Sequence, residues 1–491
     1  MAGAIFESVQ MAVFWSTDHL LLINILLSFV IIFFQRREPK TVWTWLLVLY
    51  FIPILGFVLY LMIGQDFRKS RMFRMKEIEG ELKAAVWRQE ESIFRKQLCL
   101  KDPEMERFES LILYNLNEAQ AVLTDNNDVR VYTDGLEKFQ ALVAQMEQAK
   151  KYIHLQYYII RKDELWAKIE EVLIRKVKEG VEVRVLFDSM GCRGMRKKDW
   201  RRLECAGIKV AEFFPAIFGK LHLRMNYRNH RKIVVIDGRV GFVGGFNIGR
   251  EYLGLDKKFG YWRDTHLCIE GAAVTTLAVR FALDWNYAAK ENLFLKDQLF
   301  EIPDYMRGGK EPIQIISSGP DSKSQEIRDN YLRLIHKARR SIYLQTPYFI
   351  PDEAVLSALY IAAKSGVDVR IMVPCKPDHP FVYWATYSYL GEMIEAGAKC
   401  YIYNNGFLHA KGISVDGKVS CLGTANVDIR SFQLNFEVNA TIYSESTTRR
   451  LEEAFENDIR QSTLITREIY ESRSLTVRIK EQFSRLLSPL L

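Results

Sequence analysis

Basic residues are missing from the start of this chain; the first is Arg36. A cleaved secretory signal needs a basic beginning and a small-residue cleavage site, and Gln35-Arg36-Arg37-Glu38-Pro39-Lys40 provides no such site. Paired cysteines are missing as well. The seven present (Cys99, Cys192, Cys205, Cys268, Cys375, Cys400 and Cys421) are odd in number and scattered, without a CxxC. That argues against a disulfide framework and a structural zinc site, and a reducing compartment is the simplest reading. There is no P-loop to hold a nucleotide. Charge is absent over one long stretch, Val42 to Ile63. A transmembrane helix needs roughly 20 apolar residues, and this run is long enough. A second run, Leu20 to Phe34, is interrupted by Asn24 and Ser28 and extends back to Met11 through His19, Asp18 and Trp15. The two runs predict an N-terminal transmembrane hairpin over residues 1–64.

Positive charge prevails elsewhere, with a formal net charge of +8 on 491 residues. A basic surface suits anionic lipid, nucleic acid or phosphate esters, and composition does not choose among them. The connector between the apolar runs carries Arg36, Arg37 and Lys40. The flank after them carries Arg68, Lys69, Arg71, Arg74 and Lys76. A hairpin puts the N-terminus and everything after residue 64 on one side, and the heavier Lys/Arg flank favours that side as cytoplasmic. The same flank would sit well against anionic headgroups.

Only eight histidines are present, and two of them open the same 18-residue pattern. The first copy has His230, Lys232, Asp237, Gly238, Gly244 and Asn247; the second has His409, Lys411, Asp416, Gly417, Gly423 and Asn426. Every offset from the histidine is identical. A single chance His-x-Lys-x4-Asp is expected on the order of a few hundredths of a time, so two extended copies imply a duplicated unit. His19, His154, His222, His266, His336 and His379 keep the ordinary reading of core or surface residues. The paired set fits attack on an anionic phosphodiester. Histidine can be nucleophile or proton donor near neutral pH. Two lysines and two asparagine amides could meet the charge on the non-bridging oxygens without a metal.

The duplicated motif resembles the signature of the phospholipase D superfamily, and the neighbouring text is similar to that of bacterial cardiolipin synthases. The matching stretches are Asn229-His230-Arg231-Lys232, Val234-Val235-Ile236-Asp237-Gly238, Phe407-Leu408-His409-Ala410-Lys411, Tyr261-Trp262-Arg263-Asp264 and Gln345-Thr346-Pro347-Tyr348-Phe349. The resemblance covers nearly the whole chain and implies a phosphatidyltransferase. Two phosphatidylglycerol molecules would become cardiolipin and glycerol through a phosphatidyl-histidine. It implies His230 as nucleophile and His409 as general acid, then base, with Glu437 paired to His230 and Asp264 to His409. Asp237 and Asp416 belong to the signature, but each falls in a tight turn after a strand, so structural and lysine-positioning roles are expected of them. No cofactor, metal or nucleic acid is expected; anionic membrane lipids are. The alternatives are a membrane-bound phospholipase D or nuclease on the same framework, another phosphatidyltransferase, or an inert scaffold.

Periodicity predicts an α/β fold of two α-β-α halves related by a pseudo-twofold axis. Residues 65–128 read as a basic connector with some helix, such as Met75 to Gln97. The first half, 129–300, has a helix around Leu136 to Met146, a strand at Tyr152 to Ile160, a helix at Trp166 to Glu179 stopped by Gly180, and a strand at Val181 to Phe187. The second half, 312–491, repeats the order: helix Ile327 to Ala338, strand Ser341 to Tyr348, helix Asp352 to Lys364, strand Val367 to Val373. The Pro- and Gly-bearing stretch Phe300 to Pro312 separates them. In the tail, Leu475, Ile479, Phe483, Leu486, Leu487 and Leu490 fall near one helical face. That face suits either core packing or a membrane surface.

Overall fold

The computed structural model describes residues 22–33, 39–52, 54–57, 60, 86–93, 103–215, 227–295, 309–322, 324–376, 378, 380–486 and 488. The chain divides into two units: Met1–Ser70 with Phe214–Tyr227, and Arg71–Phe213 with Arg228–Leu491.

In the first unit, residues 22–33 and Pro39–Phe51 are helical. Ile31, Trp45, Leu49 and Tyr60 form a small apolar cluster, and the Asn24 amide donates to the Leu49 carbonyl at 3.2 Å. Leu27, Val42 and Val48 pack against that cluster, and Leu26, Phe29, Phe33, Trp43, Tyr50 and Phe51 are exposed. Among the described residues, no helix is long and apolar enough to cross a membrane. The expected runs, Leu20 to Phe34 and Val42 to Ile63, include residues outside the described ones: 20, 21, 34, 53, 58, 59 and 61–63.

The second unit is built on one mixed sheet whose strand order reads nearly the same from either side of its centre. At the centre, Thr124–Tyr132 pairs antiparallel with Glu311–Ser318. Going outward, the first half adds His266–Gly271, Val240–Gly244, Ile233–Ile236, Tyr152–Tyr157, Glu182–Asp188 and Lys209–Phe213. The second half adds Asn435–Ile442, Val419–Gly423, Gly412–Val415, Ser341–Gln345, Asp368–Pro374 and Lys399–Tyr403 in the same succession. Ser462–Ile465 adds one further edge strand. The duplication of the sequence is thus a duplication of topology.

The local causes repeat as well. Helices Gly135–Glu147, Glu164–Lys178 and Glu353–Lys364 start at Asp134, Asp163 and Asp352, whose carboxylates accept from the first free backbone N–H groups. Each half buries its own core. One centres on Leu142, Ile153, Leu155, Ile169 and Val185, the other on Leu334, Ile342, Leu344, Leu359 and Ile371. The helix around Leu136 to Met146 is Gly135–Glu147, but Leu136, in its first turn and at the margin of the buried face, is 53% exposed, while Phe139, Leu142 and Met146 are buried.

Periodicity did not reveal several elements. The central strand Thr124–Tyr132 reads TDNNDVRVY, too polar for a buried-strand pattern, and begins within the expected connector. Helices Ala273–Ala289, Pro380–Ala396 and Glu445–Ile459 were also unassigned. Of the helix expected over Met75 to Gln97, only residues 86–93 are described. The tail helix Leu475–Leu486 packs on Pro380–Ala396 through polar groups: Glu481 and Ser484 are buried, while Leu475, Ile479, Phe483 and Leu486 are exposed.

Candidate active site

Two short strands cross between the halves and create the site. Arg228–Asn229 runs parallel to Asn435–Phe436 of the second half, and the His230 N–H donates to the Phe436 carbonyl at 2.9 Å. Reciprocally, Phe407–Leu408 runs parallel to Trp262–Arg263 of the first half, and the His409 N–H donates to the Arg263 carbonyl at 2.7 Å. Each histidine therefore lies against the strand that bears the other half's carboxylate. His230 Nδ1 is 3.0 Å from both oxygens of Glu437, and His409 Nδ1 is 2.6 Å from Asp264 Oδ2. Both carboxylates are fully buried. Gly244 and Gly423 permit the close strand approach: a Cβ there would lie 2.5 Å from the His266 Cα and 2.3 Å from the Val438 carbonyl oxygen.

The lysines stand beside their histidines. Lys232 Nζ donates to the His230 carbonyl at 2.7 Å, and Lys411 Nζ to the His409 carbonyl at 2.5 Å. Lys411 Nζ is also 3.2 Å from His409 Nε2 and 3.9 Å from Asp264. Both lysines are buried. Burial pushes Lys411 down to about 8, against the pull of Asp264 and Glu437. It pushes Lys232 well below its ordinary range, with Glu437 opposing. His230 falls to about 4, from burial first, opposed by Glu437 and aided by Lys232 and Lys411. His409 is also depressed, by burial and then Lys411, with Asp264 opposing and Lys232 adding. Burial alone would raise the carboxylates, but Lys411 and His409 hold Asp264 low, and His230 and Lys232 hold Glu437 low. Each histidine thus feels the lysine of the opposite half: the two motifs share one electrostatic field.

Asp237 and Asp416 do not share it. Each takes a left-handed backbone conformation before a glycine, as a tight hairpin turn demands. Each lies at the far end of the strand that begins after its lysine. The Asp237 carboxylate accepts from the N–H groups of Lys150, Lys151 and Tyr152. That of Asp416 accepts from Arg339, Arg340 and Ser341 and is 2.8 Å from the Arg107 guanidinium. They fasten a neighbouring strand's start, a structural role as expected, and their carboxylates are taken up there rather than by the lysines, so they stand outside the reactive set. Replacing Asp416 by alanine orphans these donors and is expected to cost about 3 kcal/mol. Thermal unfolding should show a lowered Tm, with turnover per folded molecule retained.

The asparagines differ from each other. Asn247 is committed to scaffold: its Oδ1 accepts from Ile159 N–H at 3.1 Å and its Nδ2 donates to the Tyr252 hydroxyl at 3.1 Å. Asn426 Nδ2 donates to Asp428 at 3.1 Å, while its buried Oδ1 has no protein partner.

Sequence reasoning missed several supports. Arg231, buried, joins the Glu437 carbonyl, Asp284 and the Ser318 carbonyl. Arg263 joins Asp458 and the Asp264 carbonyl. Tyr158 stands edge-on to His230 at 4.9 Å and Trp262 lies 5.1 Å from His409. Arg231, Arg263 and Trp262 fell inside the quoted stretches, but nothing in their spacing separated them from ordinary core or surface residues. Among the described residues, no three His, Cys, Asp or Glu side chains form a metal-binding group.

Comparison with known proteins points to one family. The family model described as "Cardiolipin synthase, PLD-like domain" matches residues 142–281 and 331–459, and the one described as "Phospholipase_D-nuclease N-terminal" matches 22–65. The major cardiolipin synthase ClsA of Bacillus subtilis is 49% identical over 475 residues, 96% of this chain and 98% of the relative. The cardiolipin synthase of Oceanobacillus iheyensis is 47% identical over 470 residues, 96% of this chain and 97% of the relative. In fold, the crystal structure of phosphatidylserine synthase from Haemophilus influenzae matches with a TM-score of 0.59 at 14% identity, covering 78% of this chain and all of that one. With both halves matched by one family model and nearly the full length shared with these relatives, the chain belongs to the cardiolipin synthase family of phospholipase D-like proteins.

Proposed function

We propose that this protein is a cardiolipin synthase that transfers a phosphatidyl group between two phosphatidylglycerol molecules. The single observation that carries the mechanism is the reciprocal pairing of each histidine with the other half's buried carboxylate. His230 Nε2 attacks the donor phosphorus. The P–O bond to the headgroup glycerol breaks as a P–N bond forms, and His409 gives its proton to the departing oxygen. The hydroxyl of the second phosphatidylglycerol then loses its proton to His409 and attacks, breaking the P–N bond. One phosphodiester replaces another, so no nucleotide is required.

Lys232 and Lys411 supply the positive field for the non-bridging oxygens. Their charges and burial depress both histidines in the free site; an arriving phosphate anion reverses that pressure and lets His409 take a proton. The sign for His230 follows. Its ordinary value near 6.5 is depressed to about 4, so the neutral nucleophile persists below pH 6. The acid limb of kcat/KM should fall below pH 6.5; a limb centred above that would contradict the assignment.

The outward apolar side chains of residues 22–33 and Pro39–Phe51, and those of Leu475–Leu486, support membrane attachment. Our reading is a two-span anchor over residues 1–64 with the catalytic unit on the cytoplasmic face. The test is purified full-length protein on phosphatidylglycerol vesicles. Cardiolipin and glycerol should appear in equal amounts, undiminished by EDTA. Phosphatidic acid without cardiolipin would favour the hydrolase reading, and loss under chelation would argue for a metal.

A further inference from the structure

The tail helix Leu475–Leu486 carries its apolar face outward. At about 100° per residue, Leu475, Ile479, Phe483 and Leu486 fall within an arc of about 80°, and they are between 56% and 78% exposed. Glu481 and Ser484, the buried residues of the helix, lie on roughly the opposite side. Polar contacts hold that inward side. Glu481 accepts from Arg473 at 3.0 Å. Arg485 pairs with Glu392 and lies over the Tyr389 ring at 4.6 Å. Ser488 Oγ, just past the helix, is 3.1 Å from the Tyr389 hydroxyl. Glu392 and Tyr389 belong to Pro380–Ala396, so these contacts fix which face of the tail helix turns inward. A helix that only packed on a core would bury the apolar stripe and expose the acid.

Charge completes the pattern. Arg478 and Lys480 are exposed and stand about 100° to either side of the stripe's centre. Arg478 donates to the Glu471 carbonyl, and Lys480 lies over the Trp384 ring at 5.3 Å. Both partners are neutral, so both cations keep their charge. Glu481 is the only carboxylate from Leu475 to Leu486, and it is buried against Arg473. An apolar ridge flanked by long cations and free of exposed acid suits the plane of an anionic membrane surface. The ridge enters the acyl boundary and the cations reach the headgroups. A protein partner fits less well, since stable protein interfaces take about 20 residues a side and the ridge has four.

The helix is also tied to the reactive set. Thr386, on Pro380–Ala396, accepts from the Phe349 N–H at 3.1 Å. Phe349–Ile350 pairs in parallel with Val427–Asp428, which directly follows Asn426 of the second motif. We infer that Leu475–Leu486 is a membrane-docking helix of the catalytic unit. It lies in an anionic leaflet and holds that unit against the lipid, apart from any span over residues 1–64. The docking does not depend on the transfer reading; its effect on turnover rests on it.

The test places a photoreactive side chain on the ridge. The full chain with p-benzoylphenylalanine in place of Phe483 is reconstituted in phosphatidylcholine vesicles, with and without phosphatidylglycerol, and illuminated. Adducts should form with lipid, and more of them in the anionic vesicles. There, Arg478→Gln combined with Lys480→Gln should lower their yield about threefold or more. Adducts to another part of the chain or to a second copy, or no lipid adduct, overturn the docking helix, as does a yield indifferent to lipid charge. Ile479→Ser combined with Phe483→Ser supplies the functional arm. Cardiolipin formation on phosphatidylglycerol vesicles should fall about fivefold or more, with dispersed short-chain phosphatidylglycerol turned over as before. Tm in detergent should not fall, because the replaced side chains are exposed. A lowered Tm would assign the ridge to the protein's own packing, and unchanged turnover on vesicles would remove its hold on the catalytic unit; either overturns the proposal. An unaltered chain that makes no cardiolipin overturns the transfer reading and leaves the adduct test standing.

Discussion

His230→Ala will lower cardiolipin formation by about three orders of magnitude or more, because it removes the group that bonds to phosphorus. His409→Ala should lower it to a similar extent, since both steps move a proton through that ring. A donor with a good leaving group separates the two roles. The p-nitrophenyl ester of a phosphatidic acid needs no acid to expel its phenolate. His409→Ala should therefore release a burst of p-nitrophenolate, one equivalent per site, and stall with lipid on His230. His230→Ala should show no burst. The opposite pattern would exchange the two roles, and no burst in either variant would remove the covalent step. His230→Ala also leaves Glu437 buried without its imidazole, so unfolding should be measured beside activity and His230→Gln included as a less disruptive variant.

The second large effect belongs to the carboxylates. Glu437→Gln and Asp264→Asn keep size and shape but lose the charge that orients each imidazole and stabilises its protonated form. Where a buried carboxylate supports a catalytic histidine, the corresponding amide costs about 10^4 in kcat. We expect about 10^2 to 10^4 for each variant here. The pH profile supplies the sign. Asp264 raises His409 against burial and the lysines, so its loss should move the basic limb, where His409 gives up its proton, to lower pH. Asp264 also raises Lys411, and an amide there weakens the phosphate's cation as well. A basic limb that stayed in place would mean that Asp264 does not govern His409.

Much of this was legible before any coordinates because the chemistry is written locally and twice. His230-x-Lys232 and His409-x-Lys411 keep their offsets, the Asp-Gly turns keep theirs, and a helix that supports the sheet announces its end by a terminal glycine, Gly180. The tight turns after each strand also announced the structural role of Asp237 and Asp416, but not the target of their carboxylates: a four-residue strand separates each from its lysine, and backbone donors of the neighbouring strand take it up. Equal treatment of Asn247 and Asn426 failed, since identical offsets do not ensure identical neighbours. The central strand Thr124–Tyr132 escaped because edge-like polarity disguised a strand that joins two halves.

By itself the sequence determined the duplication, the reactive residue types, the basic balance and the two N-terminal apolar runs, all of which depend on composition or short-range spacing. Only the tertiary structure decided which groups meet. It laid each histidine strand along the other half's carboxylate strand and withdrew the signature aspartates to the turns. The physical reason is that strand pairing between distant segments depends on how two cores and one sheet close together, and residue offsets within a motif carry no record of that closure.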